Sequence, residues 1–161
     1  MRFFLRGLDM RKQILLVEDD LRDIELILFA LERAQLWREV IILRDGSEAL
    51  DYLHRRNEFM GRVDGNPSVI LLDLKLPKID GFGVLEAVRA DEQLQSIPVA
   101  MLTSSNMEKD VSRAYELGVN AYVVKPNGFN ELISAVCELS QFWAVLNEPP
   151  PGSTRAAFHP G

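Results

Sequence analysis

Five side chains in this 161-residue sequence stand where an apolar run stops: Glu18 and Asp19 after 13–17, Asp73 after 69–72, Thr103 after 98–102, and Lys125 after 121–124. An aspartate at a strand end can hold a metal, act as a nucleophile or cap the next turn, so what surrounds Asp73 decides its role. Carboxylates gathered in one pocket repel one another, and a divalent cation offsets that repulsion. Ligation by oxygen alone, without imidazole or thiolate, favours a hard ion such as Mg²⁺, with Mn²⁺ as a substitute, and such an ion commonly bridges to a phosphate oxygen. A carboxylate screened in this way can attack phosphorus and form an acyl phosphate. The Thr103 hydroxyl and the Lys125 ammonium suit the remaining phosphoryl oxygens, over which charge spreads in a loose transition state.

These residues meet only if the elements beneath them run the same way. The runs 13–17, 39–43, 69–72, 98–102 and 121–124 are short and apolar, as strands buried in a sheet are. Between them lie helical periods. Leu21, Ile24, Leu28 and Leu31 share one face, with Asp23 and Glu25 near its start, where the helix dipole favours anions. Asp45 with Glu48 three positions on forms a capping box for a helix carrying Ala49, Leu50 and Leu53. Further helices are predicted over 83–90, over 107–117 ending at Gly118, and from a cap at Asn127 or Asn130 to about 146. The stretch 54–67 has neither period and reads as a long exposed loop. Strand and helix alternate about five times, which predicts an α/β domain with a central five-stranded parallel sheet and helices on both faces. In a parallel sheet the strand ends point one way, toward the crevice where open α/β sheets bind ligands. The domain is expected over 11–147, with a flexible extension at 1–10, where Met10 offers an alternative start, and a Pro-rich flexible tail at 148–161.

Composition narrows the function. Lys and Arg total 18 against 24 Asp and Glu, a net charge of −6, without the basic stripe that nucleic-acid binding requires. The single cysteine, Cys137, excludes an internal disulfide, and His54 and His159 lie too far apart for a zinc-ligand spacing. No apolar run approaches a membrane span, and a cytoplasmic setting is expected.

Val17-Glu18-Asp19-Asp20, Leu72-Asp73-Leu74-Lys75-Leu76-Pro77 with Asp80-Gly81, Leu102-Thr103-Ser104 and Tyr122-Val123-Val124-Lys125-Pro126 together resemble the receiver domain of two-component response regulators. The resemblance spans roughly 13–146. It implies a flavodoxin-like (βα)5 three-layer sandwich of strand order 2-1-3-4-5. It makes Asp73 the phosphoryl acceptor from a sensor histidine kinase, with Mg²⁺ held by Glu18, Asp19, Asp73 and the backbone carbonyl of Lys75. Thr103 becomes the switch hydroxyl, Tyr122 the aromatic that packs inward behind it, and Lys125 the phosphate-binding cation; the Lys125-Pro126 bond is expected to be cis. The long loop before Asn66-Pro67, the wording Leu74-Lys75-Leu76-Pro77-Lys78 and Phe142-Trp143 are most similar to the small stand-alone regulators of bacterial phytochrome kinases. The message then leaves through contact with a downstream protein or phosphotransfer partner.

Taken singly, each residue has an ordinary structural reading. Asp73 could cap a turn, Thr103 could be a turn hydroxyl, Lys125 a solvated charge, Tyr122 plain packing, and Asp20 a helix cap. Cys137 reads as inert core, and His54 and His159 as solvated. Phe142 and Trp143 are about 100° apart on a helix, so they either share the core or leave one exposed as part of a homodimer surface. Three rivals differ in chemistry. A phosphohydrolase would need a second acid two residues beyond its nucleophile, where Lys75 stands. A flavodoxin-type carrier would find its phosphate repelled by Glu18-Asp19-Asp20. A receiver-like module acting without phosphorylation is the remaining alternative.

Overall fold

The computed structural model describes residues 12–154. Five strands, β1 (Ile14–Val17), β2 (Val40–Leu43), β3 (Val69–Leu72), β4 (Val99–Thr103) and β5 (Ala121–Val124), alternate with α1 (Leu21–Arg33), α2 (Gly46–His54), α3 (Gly81–Ala90), α4 (Glu108–Glu116) and α5 (Phe129–Gln141). All pairings are parallel, and the sheet order is β2-β1-β3-β4-β5. β1, β3 and β4 are buried along their whole length, as uninterrupted apolar sequence in a central parallel strand demands. Alternate residues serve opposite cores. Leu15, Val17, Ile70 and Leu72 pack with Leu50, Leu85 and Ala114 of α2, α3 and α4. Leu16, Val69, Leu71 and Leu102 pack with Ile27, Leu31, Leu132 and Val136 of α1 and α5. The molecule is thus the parallel α/β domain that the pattern predicts, in the flavodoxin-like order that the resemblance implies.

Register aligns the functional strand ends. Val17 lies level with Leu43 on one side and Leu72 on the other, so Glu18 and Asp73 leave the sheet side by side. Thr103 lies level with Val124, which brings Lys125 to the same edge. The order of connection reverses between β1 and β3, and the crevice opens there.

Local chemistry sets the helix boundaries. Asp20 caps α1, its Oδ1 accepting from the amides of Arg22 at 2.8 Å and Asp23 at 3.1 Å. Asp45 Oδ1 accepts from the Glu48 amide at 2.7 Å, and Glu48 Oε2 reaches back to the Arg44 amide at 3.2 Å, completing the box one residue upstream of the cap. Asp80 Oδ1 takes the Gly83 amide at 2.9 Å, so α3 starts at Gly81, two residues before the expected 83. Gly118, at φ +94°, follows α4 in the left-handed region. Neither Asn127 nor Asn130 caps α5; Gly128 is its N-cap, without a side-chain bond. The last turn, Phe142–Leu146, widens into a π turn.

Several expectations need correction. Leu21 is exposed because it directly follows the cap of α1 at the open edge of the sheet. The loop 54–67 is exposed over much of its length as expected, but it is also anchored: Arg62 lies 4.0 Å over the Tyr52 ring, donates to Tyr52 O at 3.2 Å and pairs with Asp64 at 2.7 Å. His54 is not simply solvated, since Nδ1 lies 2.9 Å from Leu50 O and Nε2 lies 3.2 Å from Asp91 Oδ2. The first part of the Pro-rich tail docks on that same loop. Asn66 donates its amide to Gly152 O at 2.9 Å, and the Thr154 amide donates to Asn66 O at 2.7 Å, a short parallel bridge. Buried Lys12 ties the end of α5 to β1 by donating from Nζ to Val145 O and Asn147 O. Cys137 is half-buried, its Sγ 3.3 Å from Ala30 O. Phe142 is 48 % exposed, whereas Trp143 packs on the α1–α5 core, the two rings meeting edge to face at 4.9 Å. The extension 1–10, residue 11, the tail beyond 154 and His159 lie outside the described residues. Among the described residues no helix is long and apolar enough to cross a membrane.

Candidate functional site

The crevice gathers Glu18, Asp19, Asp73, Thr103 and Lys125. Glu18 and Thr103 are 1 % exposed, Asp73 and Lys125 8 %. Side-chain oxygens of Glu18, Asp19 and Asp73 all come within 4.8 Å of one another. Buried charge of one sign at that spacing calls for a counter-charge. Lys125 supplies part of it. Its Nζ lies 2.6 Å from Glu18 Oε2, 2.8 Å from Asp23 Oδ2 and 3.2 Å from Asp73 Oδ2, so all three ammonium protons have carboxylate partners. Lys125 is therefore neither solvated nor free. Burial works against its charge, but hydrogen bonds to Asp23 and Glu18 more than offset that and raise its pKa above the usual lysine value. Glu18 remains under strain. Burial pushes its carboxyl up to about 7 against the pull of Lys125, and the neighbouring Asp73 charge adds to the rise.

The backbone beneath the site is tightly set. Asp73 takes its amide to Val17 O at 3.0 Å, and its Oδ1 accepts from the Leu74 amide at 2.7 Å, leaving Oδ2 toward Lys125. The chain turns back so closely after Asp73 that a Cβ on Gly81 would stand 2.3 Å from Asp73 O; only glycine fits there. Asp19 is the half-buried rim of the pocket, its carbonyl accepting from Arg44 Nη2 at 3.0 Å. Asp20 turns away to cap α1, and Lys75 is exposed in the turn after Asp73.

Thr103 and Tyr122 are linked through one loop. The Lys125 amide donates to Thr103 O at 2.7 Å, and Thr103 Oγ1 accepts from the Ser105 amide at 3.4 Å. The Tyr122 hydroxyl donates to Ser105 O at 2.9 Å. Tyr122 is thus only half-buried, its ring against the α2–α4 core and its hydroxyl fixed to the loop, rather than packed fully inward. Burial raises its pKa, and the bond to Ser105 works the other way. The Lys125-Pro126 bond is trans, as is every peptide bond among the described residues.

Asp23 is the residue that sequence reasoning left out of the site. Its position in the first turn of α1 reads as a dipole partner, yet the side chain reaches across to Lys125. Beside it a cleft of about 290 Å³ is lined by Ser104, Lys125, Pro126 and Phe129. A pocket with three mutually close carboxylates, a buried ammonium and a buried hydroxyl can hold a hard divalent cation and bind a phosphoryl group on one of its carboxylates.

Comparison with known proteins agrees with this geometry. A family model for the response regulator receiver domain matches residues 14–137. The response regulator Rcp1 of Synechocystis sp. is 41 % identical over 132 residues, covering 82 % of this chain and 88 % of that protein. Its Mn²⁺-bound structure superposes with a TM-score of 0.80 at 40 % identity over 86 % of this chain and 99 % of that one. The phosphorylated cyanobacterial phytochrome response regulator RcpA gives a TM-score of 0.81 at 39 % identity, over 87 % of this chain and 99 % of that one. The bacteriophytochrome response regulator RtBRR is 64 % identical, with a TM-score of 0.70, over 89 % of this chain and 87 % of that one.

Proposed function

The chain belongs to the response regulator receiver family, and from that premise we propose that Asp73 accepts a phosphoryl group from a histidine kinase and that the product alters the protein contacts of the domain. The observation that carries this reading is the Asp73 carboxylate held 3.2 Å from the Lys125 ammonium, with Glu18 and Asp19 oxygens within 4.8 Å of its own. Asp73 Oδ2 forms a bond to phosphorus while the bond from phosphorus to the donor's imidazole nitrogen breaks, the electron pair leaving with the imidazole. Lys125 and the Thr103 hydroxyl bind the transferred oxygens as their charge rises. Glu18, Asp19, Asp73 and the Lys75 backbone carbonyl would hold Mg²⁺ or Mn²⁺, which when bound supplies positive charge to both carboxylate and phosphoryl oxygens. The domain is a phosphoacceptor that assists its own phosphorylation and hydrolysis rather than a turnover enzyme.

Thr103 turning toward the phosphoryl group would draw on the Ser105 turn, and hence on the Tyr122 hydroxyl tethered there. The surface of α4 and β5 changes with it. Similarity to RcpA and RtBRR, both named as phytochrome-type regulators, supports a phytochrome-type kinase as the donor. A second copy of the chain is our reading for the exposed Phe142, Val145 and Leu146. Sedimentation should then show a dimer that Phe142→Glu with Leu146→Glu dissociates; a wild-type monomer at micromolar concentration would refute it. No contact with nucleic acid is proposed.

The test of the main reading is intact-mass spectrometry after incubation with a small acyl-phosphate donor, with and without Mg²⁺, beside Asp73→Asn. We expect one added phosphoryl group that requires Mg²⁺ and Asp73. No addition under conditions that label other receivers would favour a binding module acting without phosphorylation.

A further inference from the structure

Lys125 has three carboxylate partners of unequal standing. Glu18 and Asp73 belong to the cluster that can hold a cation, whereas Asp23 does not. Asp23 also stands on a different element, in the first turn of α1, its backbone fixed by the Asp20 cap 3.1 Å from its amide. The ammonium sits 2.8 Å from Asp23 and 3.2 Å from Asp73, so it leans toward α1 and away from the acceptor. Asp23 is partly exposed at the mouth of the crevice, on a cleft that Lys125 and Ser104 also line.

We infer that Asp23 is a positioning residue that restrains Lys125, setting how strongly the ammonium engages the phosphoryl group on Asp73. The inference rests on the proposed phosphoacceptor role. When a cation draws on Glu18 and a phosphoryl group occupies Asp73, Asp23 is the partner that keeps its claim on the ammonium. A phosphoryl oxygen must then compete with a fixed carboxylate for the same protons. Asp23 adds negative charge at the entrance as well, and that charge opposes small anionic donors. Removing the charge while keeping an acceptor, as in Asp23→Asn, frees Lys125 for the phosphoryl oxygens. Labelling of Asp73 by a small acyl phosphate at saturating Mg²⁺ should rise by about three- to tenfold.

A structural role for Asp23 would behave differently. If its charge served only the dipole of α1, Asp23→Asn would lower the melting temperature and leave labelling unchanged. The decisive comparison is therefore a double-mutant cycle with Lys125→Gln, performed at saturating Mg²⁺ and below the midpoint of the least stable variant. The increase should shrink severalfold when Lys125 is absent, leaving only the small part due to the entrance charge. An unchanged rate in Asp23→Asn, or the same increase with and without Lys125, overturns the inference. A second readout needs no phosphorylation. In the metal-free protein the Lys125 ammonium, with every proton held, should give a slowly exchanging ¹⁵N-bound proton resonance that is broadened or lost in Asp23→Asn; persistence of that resonance unchanged overturns the inference too. If the wild type itself takes no phosphoryl group, the proposed function fails, and the resonance alone decides whether Asp23 restrains Lys125.

Discussion

Thr103 shows how little stability a functional hydroxyl need contribute. Its Oγ1 accepts a single long bond, 3.4 Å from the Ser105 amide, although the residue is 1 % exposed. Thr103→Ala should therefore cost no more than about 1 kcal/mol in urea denaturation. Its cost to phosphorylation should be larger, because a hydrogen bond to a charged group contributes about 1.5–3 kcal/mol. Stopped labelling reactions should show a rate reduced at least about tenfold. Mg²⁺ affinity should stay at the wild-type value, since the substitution leaves the cluster of Glu18, Asp19 and Asp73 intact. Equal losses in stability and labelling would mean that Thr103 acts as packing. This site was legible in the sequence because its parts follow apolar runs, and a parallel sheet sends every such residue to one edge. Asp23 was not, because it lies on a helix, where the dipole explains a carboxylate equally well and only the length of the Lys125 side chain joins it to the pocket.

At the scale of elements, the strands were readable and their attachments were not. Val69 to Leu72 is apolar without a break because both faces are covered, which leaves a clear signature. The docking of the tail leaves none, since it runs through backbone groups that every residue carries. The Asn66 amide bonds Gly152 O and the Thr154 amide bonds Asn66 O, with Gly65 so close that a Cβ would stand 2.2 Å from Gly152 O. Arg62 and His54 gave no signal for another reason, their side-chain partners being set by how the loop folds on α2 and α3. Truncation after Glu148 should remove about 1–2 kcal/mol of stability, at about 1 kcal/mol per lost hydrogen bond. Hydrogen exchange should speed at the Asn66 amide and its neighbours. Labelling at Asp73 should be unaffected, because Asn66 precedes β3 and Asp73 follows it, at opposite ends of that strand. An exchange rate at Asn66 that truncation leaves unchanged would show that the bridge does not form in solution.

The whole molecule concentrates unbalanced charge at one place. Glu18, Asp23 and Asp73 hold the ammonium of Lys125, and Asp19 stands beside Glu18 and Asp73, in a chain whose net charge is already −6. Burial has pushed the Glu18 carboxyl to about 7, a sign that ionising it inside the metal-free fold costs free energy. A divalent cation relieves that cost only in the folded state, since the unfolded chain does not hold these carboxylates together. Binding must then stabilise the fold by mass action, by about 2.7 kcal/mol when free Mg²⁺ is 100 times its dissociation constant. For a domain of this size each kcal/mol moves the melting temperature by roughly 2–4 °C, so the rise should be about 5–11 °C. Chelation should reverse it. Asp19→Asn removes the least buried of the three clustered carboxylates without touching the Lys125 network, so it should fold well and respond to Mg²⁺ far less. Calorimetry at constant ionic strength separates this from general screening of the acidic surface, which monovalent salt would reproduce. A rise that Asp19→Asn retains in full would place the cation elsewhere on the acidic surface and remove it from the reaction at Asp73.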